Sequence, residues 1–298
     1  MTSEQVVLDV EGLRMRYGTT DVLHDVTFHA RHGEVLALLG PNGAGKTTTI
    51  EILESFRLRS AGRVSVLGVD PAHADERWRA RVGVVLQSWR DHGKWRVREL
   101  LEHLGDHYAC YATDQVPRPW EPDDLVAAVG LTAQAGNKIR TLSGGQRRRL
   151  DVAVGIVGRP EVLFLDEPTT GFDPVARREF HELVRRLAAR HATTILLTTH
   201  DLAEAEKLAD RIVVLDGGRI VADGTAEELA RRIAGEDEVR WTHAGRQHVR
   251  RVRESTRFVH DLFRRHGDGI TDLEVRRASL EDTYLSLVRR VEAGGAAR

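Results

Sequence analysis

Gly40-Pro41-Asn42-Gly43-Ala44-Gly45-Lys46-Thr47-Thr48 decides how the rest of the chain is read. The apolar run Val35-Leu36-Ala37-Leu38-Leu39 precedes it and a helical pattern follows, so the stretch predicts a strand, a glycine loop and a helix start. Its spacing matches G-x-x-x-x-G-K-[ST], in which glycines let backbone N–H groups turn inward around phosphate oxygens at a helix N-terminus. Lys46 is then placed to reach the outer phosphates and Thr47 to serve Mg²⁺. Lysine occurs only at Lys46, Lys94, Lys138 and Lys207 among 44 Lys plus Arg, so arginine is the default cation of this chain. A lysine in the loop marks a need for a compact point charge. The loop alone leaves kinase, GTPase, helicase and transporter ATPase open.

Composition narrows the class without naming a partner. At 298 residues the chain is long enough for one large domain and a smaller one, and its 41% hydrophobic content is that of a globular protein with a proper core. The net charge of −1 gives no global attraction to nucleic acid or to an anionic membrane. A single cysteine, Cys110, excludes an internal disulfide framework and a cysteine-based zinc cluster; it lies in a helical pattern and is expected to pack. Residues 1–12 carry Glu4, Asp9 and Glu11 and no basic start before an apolar stretch, so no signal peptide is expected. No run approaches the ~18 apolar residues of a spanning helix, so any membrane task needs another chain to do the spanning.

Taken in order, the chain alternates between strand and helix signals. Val6, Leu8 and Val10 and the stretch 22–30 predict opening antiparallel strands, with Tyr17-Gly18 between them. After the glycine loop, Ile50, Leu53 and Phe56 mark the inner face of a helix, and residues 63–67 return as a strand. Residues 82–86 form a buried strand ending at Gln87, a polar group on the sheet rim where α/β proteins bind ligands. From 88 to 142 helical patterns take over, including 97–111 and 123–129, separated by Pro117-Arg118-Pro119. Asn137-Lys138-Ile139-Arg140 begins like the guanine-recognition motif N-K-x-D and ends in arginine, which counts against a GTPase.

Leu142-Ser143-Gly144-Gly145-Gln146 follows and runs into a helix through Val157, with Ser143 as N-cap and Gly144 and Gly145 clearing side chains from the helix start. The triplet Arg147-Arg148-Arg149 reads as a solvated face of that helix. Val162-Leu163-Phe164-Leu165-Asp166-Glu167-Pro168 is an apolar central strand ending in two carboxylates, Asp166 suited to Mg²⁺ and Glu167 to the attacking water. Gly171-Phe172-Asp173-Pro174 turns into another helix, and a strand over 194–199 delivers His200 to the same rim.

Together these motifs resemble the ATP-binding subunit of an ABC transporter, over about residues 6–228, through the ordered set P-loop, Gln87, LSGGQ, LDEP, Asp173 and His200. The resemblance implies an α/β P-loop NTPase: a RecA-like core with an antiparallel β subdomain and a helical insertion over about 88–157. It implies ATP and Mg²⁺ as cofactors and two such domains paired head to tail, each ATP lying between one P-loop and the partner's Ser143–Gln146 signature. Thr47, Gln87 and Asp166 would then serve the metal, Glu167 would be the general base and His200 would contact the γ-phosphate. Tyr17 would stack on adenine, and Asp173 would lie in the loop linking the two sites. Phe172 departs from the smaller aliphatic usual there. The unusual stretch Ser88-Trp89-Arg90-Asp91-His92-Gly93-Lys94-Trp95 falls where the family meets its membrane partner.

Beyond residue 228 the sequence predicts a small α/β appendage over 229–298, with strands near 238–241 and 247–252 and a helix carrying Phe258, Val259, Leu262 and Phe263. Ser279 and Asp282 form a capping box, before an apolar stripe of Leu280, Tyr284, Leu287, Val288 and Val291. The ending Ser279-Leu280-Glu281-Asp282-Thr283-Tyr284-Leu285 is similar to the tail of drug-resistance and polysaccharide-export ATPases of the daunorubicin-resistance type, which work with separate multi-spanning permeases. Six arginines between 240 and 257 make the appendage locally basic, read as a solvated face.

The resulting expectation is an ATPase at the inner face of the cell membrane, cytoplasmic and peripheral, powering export of drug, other hydrophobic or glycan cargo as a homodimer or a heterodimer. No nucleic acid is expected as partner. The alternative is a soluble ABC ATPase working on ribosome or DNA; a nucleotide-sensing regulator without turnover is disfavoured by Glu167 and His200.

Overall fold

A computed structural model describes residues 5–85, 92–233 and 237–276. Gln87, the oddly charged residues 88–91 and the capped helix beyond 279 lie outside the described residues. The chain divides into two compact units, Met1–Ile220 and Val221–Arg298.

The first unit opens with strands β1 (Val6–Tyr17), β2 (Thr20–Arg31) and β3 (Val35–Leu39), then helix α1 (Lys46–Leu53), β4 (Ala61–Val66), α2 (Glu76–Arg79) and β5 (Val82–Val85). The insertion follows as α3 (Val97–Asp106) and α4 (Pro122–Ala128) joined by short 3₁₀ turns, and leads into α5 (Gly144–Ile156). The return to the core is β6 (Val162–Asp166), α6 (Pro174–His191), β7 (Thr194–Thr199), α7 (Leu202–Leu208), β8 (Arg211–Asp216) and β9 (Arg219–Gly224). The second unit carries α8 (Ala226–Ile233), β10 (Asp237–His243), β11 (Arg246–Val252), α9 (Ser255–His266) and β12 (Ile270–Arg276).

Strands β2-β1-β4 form an antiparallel sheet, while β5-β6-β7-β3-β8-β9 form the core sheet. β3, β6 and β7 are fully or almost fully buried: Leu36, Leu38, Phe164 and Leu196 share one apolar core with β1, β2 and α1, and the alternate residues are buried as well, which is why these strands read as unbroken apolar runs. All strands from β5 to β8 in that order pair in parallel, so their C-terminal ends fall on one rim.

Three expectations need correction. Phe56 is exposed, because α1 stops at Leu53 and Ser55 turns the chain with φ 68, taking residue 56 off the helical face. Cys110 is exposed, because the helical pattern over 97–111 ends at Asp106 and Cys110 sits in a separate 3₁₀ turn. Arg148 is buried at 7% exposure, so the arginine triplet is not a uniformly solvated face. In the second unit β12, in which Thr271, Leu273 and Val275 alternate with Asp272, Glu274 and Arg276, completes a sheet of order β11-β10-β12 that the sequence reading passed over.

Candidate functional site

The loop between β3 and α1 owes its shape to its glycines. Gly45 adopts φ 104, a conformation that side chains rarely tolerate, and a Cβ there would fall 2.5 Å from Leu23. A Cβ on Gly40 would stand 2.2 Å from the carbonyl oxygen of Leu215, so the loop lies against β8 as closely as a backbone can. By contrast a Cβ on Gly43 would meet nothing within 4 Å: the outer lip of the loop is open. Pro41, Asn42 and Ala44 complete the turn, with Ala44 N–H donating to the Pro41 carbonyl at 3.2 Å. Thr48 follows Thr47 in the first turn of α1.

Lys46 is buried at 5% exposure and its Nζ donates to the carbonyls of Gly40 (2.8 Å) and Pro41 (3.1 Å). The same ammonium stands 3.5 Å from Glu167 Oε1, and His200 Nδ1 stands 3.3 Å from that oxygen. Thr47 Oγ1 lies 3.4 Å from Asp166 Oδ2. Residues 46, 47, 166, 167 and 200, spread over 155 positions of sequence, therefore meet at one rim because β3, β6 and β7 are neighbours ending at the same height.

Thr198, the penultimate residue of β7, organises the two carboxylates. Its hydroxyl donates to Asp166 Oδ1 at 2.5 Å and accepts the Glu167 N–H at 2.9 Å. Glu167 itself sits at φ 41, a left-handed backbone that turns its side chain out of the strand line toward Lys46 and His200. Arg148 Nε donates to the Pro168 carbonyl at 3.0 Å, tying α5 to the residue after Glu167. Burial holds the Arg148 guanidinium below its ordinary value. Sequence reasoning missed Thr198 and Arg148, the first because threonine at a strand end is unremarkable, the second because it sits inside a charge run. Glu54, 7% exposed at the end of α1, is pushed up to about 8 by its burial and then by the charges of Asp166 and Glu51.

Thr47 and Asp166 offer hard oxygen donors 3.4 Å apart, a donor set that suits Mg²⁺. The open lip at Gly43 and the ammonium of Lys46 suit phosphate oxygens. The residues present fit both groups.

Other candidates stand apart. Ser143 caps α5 reciprocally, its Oγ accepting the Gln146 N–H (3.3 Å) while Gln146 Oε1 accepts the Ser143 N–H (3.0 Å). Gly144 faces open space, and no hydrogen bond or ion pair joins Ser143, Gly144, Gly145 or Gln146 to the P-loop among the described residues. Asp173 caps α6 through Val175 N (2.9 Å) and Ala176 N (2.8 Å), and Phe172 packs edge-on against buried Phe180 at 5.9 Å, which accommodates its larger ring. Tyr17, 38% exposed, carries the Arg57 guanidinium over one face at 4.9 Å.

Residues 23–170 match the model of the ABC transporter family. The chain is 43% identical over 234 residues to the Nod factor export ATP-binding protein I of Ralstonia nicotianae, covering 78% of this chain and 71% of that one. It is 35% identical over 305 residues to the daunorubicin resistance ATP-binding protein DrrA2 of Streptomyces coeruleorubidus, covering 93% of both. Among solved structures, the ATP binding subunit of an ABC transporter superposes with a TM-score of 0.68 at 26% identity, covering 95% of this chain and 99% of that one.

Proposed function

The chain belongs to the family of ABC transporter ATP-binding subunits, which hydrolyse ATP to drive transport, and on that premise we propose that it powers export through a separate membrane-spanning permease. The cargo class is a drug, another hydrophobic molecule or a glycan. The observation that carries this reading is the DrrA2 likeness over 93% of both chains, which extends past the ATPase core into the appendage. Residues 1–228 would be the ATPase domain and 229–298 an accessory domain. The ribosome or DNA alternative gains nothing from these relatives.

The P-loop amides and Lys46 would bind the phosphates, and Tyr17 would stack on adenine with its free face. Thr47 and Asp166 would hold Mg²⁺, aided by Gln87. Bound Mg²⁺ would neutralise charge on the phosphate oxygens. Glu167 would take the proton of the attacking water, while His200 and Lys46, which face its carboxylate here, would turn to the phosphate oxygens of bound ATP. Ser143–Gln146 would act on the nucleotide of a second subunit docked head to tail, as their separation from the P-loop within one chain supports. Asp173 and exposed Val175 would meet that subunit.

The subunit would sit peripherally on the cytoplasmic face; no helix among the described residues is long and apolar enough to cross a membrane. Phe56 and Leu58, 66% and 70% exposed, offer an apolar contact for the permease. The test is to trap Glu167→Gln with ATP in its native cell, solubilise the membranes gently and identify what co-purifies. A stoichiometric multi-spanning protein is expected; ribosomal or DNA-bound partners with no membrane protein would overturn export. Lys46→Ala should abolish ATP binding by calorimetry, and unchanged affinity would remove the phosphate-cradle assignment.

A further inference from the structure

The opposite rim of the core sheet carries a second cleft. Arg81, Glu161 and Thr193 stand immediately before β5, β6 and β7, whereas Asp166 and Thr199 end β6 and β7 beside Lys46 and His200. Strands of four to six residues separate the two rims by roughly 13–20 Å. A cavity of about 760 Å³ opens at the N-terminal rim, walled by these residues and by the strap 110–120 between α3 and α4. That volume lies in the range, roughly 300–1,000 Å³, of pockets that take drug-sized molecules.

The lining carries four guanidiniums, Arg77, Arg81, Arg118 and Arg159, against one carboxylate, Glu161. Glu161 is fully engaged: Arg81 grips it through Nε (2.8 Å) and a terminal nitrogen (2.9 Å), and Arg118 donates to it at 3.0 Å. Arg118 also donates to the carbonyls of Ala80, Gly158 and Arg159, which fixes the strap to the core. Arg77 and Arg159 are left without a carboxylate among the described residues.

Arg159 is held at a cost. Its backbone takes φ 51, its guanidinium lies 4.8 Å over the Trp120 ring, and its Nε is a buried donor with no hydrogen-bond partner. Strained backbone and unmet buried donors persist where something else over-determines them, and they concentrate at ligand sites. Nearby, Tyr111, with its hydroxyl tied to Glu76 at 3.0 Å, and Ile156 and Leu187 supply aromatic and apolar wall.

We propose that this cleft binds an organic anion, a phosphate or carboxylate on an aromatic or apolar body, as a site distinct from that of ATP. The anionic group meets Arg159 and Arg77, and the body lies along Tyr111, Ile156 and Leu187. An excess of three formal positive charges in a walled cavity favours the anion, and the apolar wall favours a body over bare phosphate.

The test is calorimetric titration of the full chain with 1-naphthyl phosphate in saturating AMP-PNP and Mg²⁺, which block the P-loop. One molecule should bind per chain, and inorganic phosphate or uncharged 1-naphthol, each with half of the chemistry, should bind at least about tenfold more weakly. Arg159→Met and Arg77→Gln should each weaken 1-naphthyl phosphate by about tenfold or more while AMP-PNP affinity stays unchanged. Arg77 is exposed and its side chain has no hydrogen bond or ion pair among the described residues, so its variant tests the cleft even if Arg159→Met disturbs the turn. Absence of binding to the AMP-PNP-loaded protein, equal binding of inorganic phosphate, or undiminished affinity in the Arg77 variant would overturn the proposal.

Discussion

The two rims of one parallel sheet treat charge in opposite ways. At the C-terminal rim Lys46, His200 and Thr47 approach Glu167 and Asp166 at 3.3–3.5 Å, distances too long for strong bonds. At the N-terminal rim Arg81 and Arg118 meet Glu161 and three carbonyls at 2.6–3.0 Å. Loose contacts can be exchanged for ligand atoms with little loss, whereas tight ones cannot be broken without leaving a buried charge bare. The first rim is built to react and the second to hold, so substitutions should separate activity from stability.

The largest effect belongs to the loose rim. Glu167→Gln should lower the rate of phosphate release at least about a hundredfold while ATP affinity by calorimetry stays within about twofold. Near-normal turnover would move the general base elsewhere and remove the reason for the loose geometry. Next comes the tight rim: Arg118→Met should cost about 3–4 kcal/mol in denaturant unfolding, because it removes a buried guanidinium from half-buried Glu161 and from three carbonyls together. Turnover per folded molecule should be unchanged; a loss below about 1 kcal/mol would erase the distinction between the rims.

The two rims were unequally legible in the sequence. Lys46, Thr47, Asp166 and Glu167 announce themselves because phosphate and metal chemistry needs fixed residue types at fixed offsets within one short stretch. Their convergence with His200 followed from reading 162–166 and 194–199 as buried parallel strands. Arg118 was hidden inside Pro117-Arg118-Pro119, where the prolines speak of a chain break and nothing local shows that the arginine is to be buried against residues 38 to 43 positions away. Arg148 was hidden likewise, since helical periodicity does not tell which of three successive arginines turns inward toward Pro168. Motifs are local in sequence; locked polar networks are local only in space.

A third test sets two carboxyls, half-buried Glu161 and buried Glu54, against each other. Burial would raise Glu161, but the hydrogen bond from Arg81 and the charges of Arg81 and Arg118 hold it below its ordinary value. Its contribution to stability is therefore present at neutral pH and lost on acidification. Glu54 is pushed from 4.5 up to about 8, so its contribution is complete below pH 4.5 and is lost as pH rises through about 8. Glu54→Gln removes that loss. In nucleotide-free protein with chelator present, the variant should be more stable than the parent at pH 9 by about 5 kcal/mol and about equal to it at pH 4.5. A parallel stability curve for variant and parent from pH 6 to 9 would show that Glu54 is solvated after all.

The smallest effect probes whether the loose rim depends on a tight bond of its own. Thr198 is buried, and its hydroxyl both donates to Asp166 Oδ1 and accepts the Glu167 N–H, so it would set the proposed metal carboxylate and the proposed general base in one frame. Thr198→Val keeps the shape and β-branching that β7 requires and removes only those two hydrogen bonds. The Glu167 N–H is left unmet at a strained backbone, and the Asp166 carboxylate is freed to rotate. Turnover should fall about tenfold, the equivalent of about 1.4 kcal/mol, with the KM for ATP little changed because Lys46 and the P-loop still hold the phosphates. The Mg²⁺ concentration for half-maximal rate should rise alongside, since Asp166 would be set less firmly. A fall in turnover with no change in Mg²⁺ dependence would mean that Thr198 acts through Glu167 alone, and unchanged turnover would mean that the 2.5 Å bond to Asp166 serves the strand end rather than the chemistry.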